Sequence, residues 1–132
     1  MSASLQQALL AERIEAARAL RERFTACLAA MEAGGWGAEA VATAVARHLA
    51  TTRADELPLE AQTIWVERIA RPLKASATRP LGARAGSTIR SWPSARLNAL
   101  VDALREIEAI LAKAETDAMN EAIYAEISRA YS

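Results

Sequence analysis

The stretch LNALVDALREIEAIL, residues 97–111, decides the fold. Its apolar residues Leu97, Leu100, Val101, Leu104, Ile107 and Leu111 recur at steps of three and four. That spacing puts them on one face of an α-helix and does not fit the two-residue period of a strand. Ala114 and Ala118 continue the stripe, and Met119, Ile123 and Ile127 resume it after a small phase shift. The helix is expected to start at Pro93 or Ser94. Thr116-Asp117 is a candidate break, because both residues favour caps over helix interiors. Without that break the helix spans about 50–55 Å at 1.5 Å per residue.

A matching stripe stands at the other end of the chain. Leu10, Ile14, Ala17, Leu20 or Arg21, Phe24, Leu28 and Met31 follow the same steps, close to a heptad seam. Ser4 with Gln7 three residues on reads as a capping box. Gly34-Gly35 ends the helix, since glycine takes the left-handed cap conformation without a steric penalty. A second helix is predicted over residues 38–50, with Val41, Val45 and Leu49 on one face backed by Ala42 and Ala46. A third opens at Pro58 with Ala61, Ile64, Trp65 and Ile69 on its inner face and Arg68 at the edge, and Pro72 is expected to end or kink it, because proline lacks an amide and clashes with the preceding turn.

No run of useful length alternates as a strand would. The expected fold is therefore all-α: a helical bundle of four to five helices, with long antiparallel N- and C-terminal helices. The chain has 132 residues, of which 24% are charged, so it suits one helical domain over residues 1–132 and not a disordered segment. The end of the last helix is expected to protrude, and a protruding apolar stripe calls for a partner chain. Cys27 is alone, which excludes an internal disulfide and a thiolate metal cluster. No apolar run reaches the roughly 18–20 residues of a membrane span. The expectation is a cytoplasmic protein of bacterial style, with no membrane association.

The zero net charge conceals a pattern. Residues 1–60 carry eight acids against six arginines, and residues 98–132 carry seven acids against three basic residues. Between them lie seven cations, Arg68, Arg71, Lys74, Arg79, Arg84, Arg90 and Arg96, with Glu67 as the one acid. Residues 73–92 of this segment are expected to form an irregular basic connector, punctuated by Pro80, Gly82 and Gly86, with at most a short helical turn over residues 73–78. Hydroxyls at Ser76, Thr78, Ser87, Thr88 and Ser91, and the ring of Trp92, are interleaved with the cations. Guanidinium groups, hydroxyls and free amides all donate to phosphate oxygens. An aromatic ring beside arginine can stack an unpaired base. The candidate nucleic-acid-binding residues are thus Arg68, Arg71, Lys74, Arg79, Arg84, Arg90, Trp92 and Arg96.

Other chemistry finds little support. The run GARAGS at 82–87 lacks the glycine spacing and the Lys-Ser/Thr of a phosphate loop, and no strand precedes it. His48 stands alone, so it cannot build a common zinc site. Glu12 with Glu15, and Asp102 with Glu106, lie at helical spacing, but Arg13, Arg18 and Arg105 are interleaved as on a solvated, ion-paired face. Trp36 is expected to plug the first turn and Trp65 to pack in the bundle, while Trp92 suits packing and ligand contact equally.

No catalytic residue, metal site or cofactor is expected, and the chain reads as non-enzymatic. The leading expectation is a small helical subunit that adds a basic, arginine-rich surface to a nucleic-acid-containing assembly. It would bind the phosphate backbone, an unpaired strand included. In size, helicity and charge the chain is similar to the small subunits of CRISPR effector complexes, an analogy with no motif behind it. The alternatives are a basic segment that neutralises the protein's own acidic helices, and a protein–protein adaptor or phage- or plasmid-encoded regulator. The adaptor would form a homo-oligomer, or join other subunits, through its long helices and bind an acidic protein surface.

Overall fold

The computed structural model describes residues 3–131. Helix α1 runs Ala3–Ala33, α2 Ala38–His48, α3 Leu59–Ile64, α4 Arg84–Arg90 and α5 Ser94–Ala130. A single 3₁₀ turn, Ala54–Glu56, precedes α3, and α3 continues into a π-helical turn, Trp65–Ala70. The protein is all-helical among the described residues, as the periodicity predicts. No helix there is long and apolar enough to cross a membrane.

Helices α1 and α5 form the frame. They contain 31 and 37 residues, or about 46 and 55 Å at 1.5 Å per residue. Their ion pairs run in opposite order, Arg13 with Glu121 and Arg18 and Arg21 with Glu115, so the two helices are antiparallel. The predicted stripes are buried only in part: Leu10, Ile14, Ala17 and Leu20 on α1 and Ala114 on α5 are half-buried, and Met119, Ile123 and Ile127 are exposed. Leu97, Leu100, Val101, Leu104, Ile107, Leu111 and Ala118 are buried on α5, and Phe24, Cys27, Leu28 and Met31 on α1. Trp65 fills the centre at 1% exposure, with its ring edge-on to Phe24 at 6.0 Å.

α1 ends in a Schellman turn. The Trp36 amide donates to Met31 and the Gly35 amide to Glu32, with Gly35 at φ 81°. A Cβ on Gly34 would lie 2.5 Å from the Cβ of Ala40, so only glycine admits α2 at this corner. Trp36 is half-buried against the core, and the Arg105 guanidinium lies 4.9 Å from its ring centroid.

Several expectations need correction. α1 is already helical at Ala3, so Ser4 lies inside it; an N-cap needs non-helical backbone, which excludes the Ser4–Gln7 box. α5 passes through Thr116-Asp117 without a break: Glu115 before it is ion-paired to Arg18 and Arg21 of α1, and Ala118 after it is buried. The segment 73–92 is not irregular throughout. Its last part forms α4, whose Ala85, Gly86 and Ile89 are buried. Gly86 explains the helix: a Cβ there would lie 3.1 Å from the Ala42 carbonyl and 3.3 Å from the Ala46 Cβ, so glycine lets α4 lie directly on α2. The turn considered over residues 73–78 lies earlier, over residues 71–74.

Beyond the core, α1 and α5 continue as a two-helix arm. Glu115 marks its root, accepting from both Arg18 and Arg21 while only 9% exposed. Past it, Leu5, Leu9, Met119, Ile123, Tyr124, Ile127 and Tyr131 are exposed. The last helix does not protrude alone as expected: α1 is long enough to run beside it, with Arg13 paired to Glu121, so the projecting part is a two-helix arm.

Candidate functional site

The seven central cations divide according to their surroundings. Arg68 donates to Glu106 on α5, and Arg90, at the end of α4, donates to Glu39 on α2 at 3.0 Å. These two neutralise the protein's own acids. Arg71, Lys74, Arg79, Arg84 and Arg96 form no ion pair among the described residues. Self-neutralisation therefore accounts for a minority of the basic segment.

Residues far apart in the chain converge because α3 and its π turn run against the first half of α5. Arg68 lies in the π turn and Arg71 caps it, its amide donating to Val66 five residues back. Pro72 follows and has no amide to continue the helix. The chain then reverses at Lys74, whose φ of 57° is left-handed. The Ala75 amide donates to Ala70 at 2.8 Å and the Lys74 amide to Arg71 at 3.0 Å, a second Schellman turn. Lysine holds the position that glycine holds in the first turn. A non-glycine residue there is strained, and such strain concentrates at functional positions.

The opposite wall comes from the start of α5. Trp92 precedes Pro93, the residue at the N-cap position, and Arg96 lies in the first turn. The Arg96 guanidinium carbon is 5.8 Å from the Trp92 ring centroid. Together these elements enclose a cleft of about 420 Å³. Arg68, Arg71, Lys74 and Arg96 ring it, and Pro72, Trp92, Ala99 and Leu100 form its apolar wall. No acidic residue lines the cleft among the described residues. The first turn of α5 also lacks an acid, so the positive end of the helix dipole adds to the charge of Arg96. That arrangement is unfavourable for the helix alone and favourable for an anion.

The structure thus assembles Arg68, Arg71, Lys74, Trp92 and Arg96, and separates Arg79, Arg84 and Arg90 from them. Arg79 and Arg84 are exposed elsewhere. The glycines expected to bring backbone close to a ligand do other work. Gly86 is buried against α2, and the Gly82 amide donates to Ala50 at 2.8 Å. The cleft wall of Pro72, Ala99 and Leu100 was not visible as a site from sequence: Leu100 carries only a core signal, and Ala99 carries none. The left-handed Lys74 had no sequence signal either, because lysine is not a turn-forming residue.

Cys27 is fully buried, and burial pushes its thiol up to about 12, which makes it inert. His48 is half-buried at the end of α2. Among the described residues no three of His, Cys, Asp or Glu converge to hold a metal. Comparison of the chain with protein-family profiles, curated proteins and solved structures finds no match.

Proposed function

We propose that this protein is a non-enzymatic helical subunit that docks a nucleic acid through the cleft between the end of α3 and the start of α5. One observation carries the reading. Arg71, Lys74 and Arg96 lack carboxylate partners among the described residues, and they share one concavity with an aromatic ring. Unneutralised cations around a cleft attract a polyanion, and guanidinium groups match phosphate geometry in two-point contacts. The exposed apolar residues of the α1–α5 arm support a subunit over a free-standing binder, since such a surface is usually covered by another chain.

The test is binding of labelled oligonucleotides by fluorescence anisotropy between about 50 and 200 mM salt, where phosphate contacts weaken steeply. The wild type is expected to bind with a strongly salt-dependent Kd. R71A/K74A/R96A is expected to lose at least ten-fold at the lowest salt with its thermal midpoint nearly unchanged, and R79A/R84A to lose much less. Absent or salt-independent binding would favour the adaptor reading, in which the cleft meets an acidic protein.

A further inference from the structure

The cleft has features that phosphate recognition alone does not need. An anion gains nothing from an apolar wall, and desolvating it there is costly. Yet Trp92 and Leu100 line the same concavity as Arg71, Lys74 and Arg96. The ring of Trp92 is half-buried, packed partly on the core and partly exposed in the cleft. Over that ring stands the planar guanidinium of Arg96, whose outer face is a second flat surface. Aromatic rings and guanidinium planes are the two side-chain surfaces on which nucleobases stack.

Size narrows the ligand further. A volume of about 420 Å³ lies in the range of sites that enclose a small molecule. A duplex keeps its bases stacked inside and offers its exterior phosphates. It could fill the cleft only by extruding a base, at a cost that a single strand does not meet. An acidic peptide would satisfy the cations but leave the aromatic wall without a flat partner.

We infer that the cleft takes one unpaired nucleotide, its base against Trp92 and Arg96 and its phosphate among Arg71, Lys74 and Arg96, so that the protein selects single-stranded over double-stranded nucleic acid. This rests on the nucleic-acid reading above and names the form of nucleic acid that the site accepts. Trp92 supplies the selectivity, and the cations supply affinity shared by both forms.

The experiment compares a labelled twelve-residue oligothymidylate with the corresponding thymine–adenine duplex at about 100 mM salt. Thymidine monophosphate and a glutamate-rich peptide serve as competitors. The single strand is expected to bind at least ten-fold tighter than the duplex. Trp92→Leu is expected to weaken the strand between about five- and a hundred-fold, the range of one lost base stack, and to leave the duplex unchanged. Trp92→Phe, which keeps a ring, is expected to retain most of the preference, and circular dichroism checks that each variant is folded. R71A/K74A is expected to weaken both forms together.

Equal affinity for strand and duplex, with both Trp92 variants silent, overturns the unpaired-nucleotide inference while the nucleic-acid reading stands. Competition by the mononucleotide at the same concentration as the strand also overturns it, making the ligand a free nucleotide. Failure to bind either oligonucleotide, or stronger binding of the acidic peptide, overturns the parent reading as well.

Discussion

The amide of Ala75 donates to the carbonyl of Ala70 at 2.8 Å, closing a turn across the left-handed Lys74. The bond forces lysine into backbone geometry that glycine would adopt without strain, and the side chain so held lines the cationic cleft. On the proposed reading, stability and recognition are opposed at this one position.

Lys74→Gly separates them. Removing the Cβ relieves the left-handed strain, so the variant is expected to be more stable by about 1 kcal/mol, seen as a rise of several degrees in Tm. Oligonucleotide affinity is expected to fall in the same variant. A protein that is no more stable and binds equally well would show that Lys74 is neither strained nor in contact with the ligand.

Glu115 gives a pH prediction. Hydrogen bonds from Arg21 and then Arg18 hold its carboxyl below the ordinary value of 4.5, against the opposing effect of burial. A carboxyl depressed in the folded state contributes stability that is fully present above the unfolded value. That contribution is lost as pH falls through the folded value. Glu115→Gln is expected to be less stable than the wild type at pH 7, and the gap is expected to close as the pH is lowered from about 5 towards 2. Urea midpoints across that series measure it. A gap independent of pH would mean that Glu115 acts by shape and not by charge.

The core and the arm should respond differently to truncation. Leu104 is fully buried, so Leu104→Ala is expected to cost about 2–5 kcal/mol. Ile123, on the same helix, is 51% exposed, and Ile123→Ala is expected to change stability by less than about 0.5 kcal/mol in the monomer. Chemical denaturation at low protein concentration checks both. An Ile123→Ala cost that grows with protein concentration would show that the arm is covered by a second copy of the chain.

The frame was legible because long helices average over many residues. The stripes from Leu97 and from Leu10 needed no tertiary information, and Gly34-Gly35 carries its turn chemistry in its residue type. Segment 73–92 was not legible to the same degree. α4 exists because Gly86 fits against the backbone of α2, a contact that no local pattern encodes. The Ser4 capping box failed because the helix is already established at Ala3. For the site, charge density identified the right region but could not sort its members. Arg68 and Arg90 are ion-paired because Glu106 and Glu39, distant in sequence, reach them in the fold, although Arg68 still lines the cleft. Arg71 and Lys74 met Trp92 and Arg96 only because α3 lies along α5.

The unbroken course of α5 has a mechanical meaning. From Arg96 at the cleft to Arg129 near the far tip, a single rod measures about 50 Å at the helical rise. A ligand held at the cleft and a partner held at the tip would be set about 50 Å apart by one continuous helix.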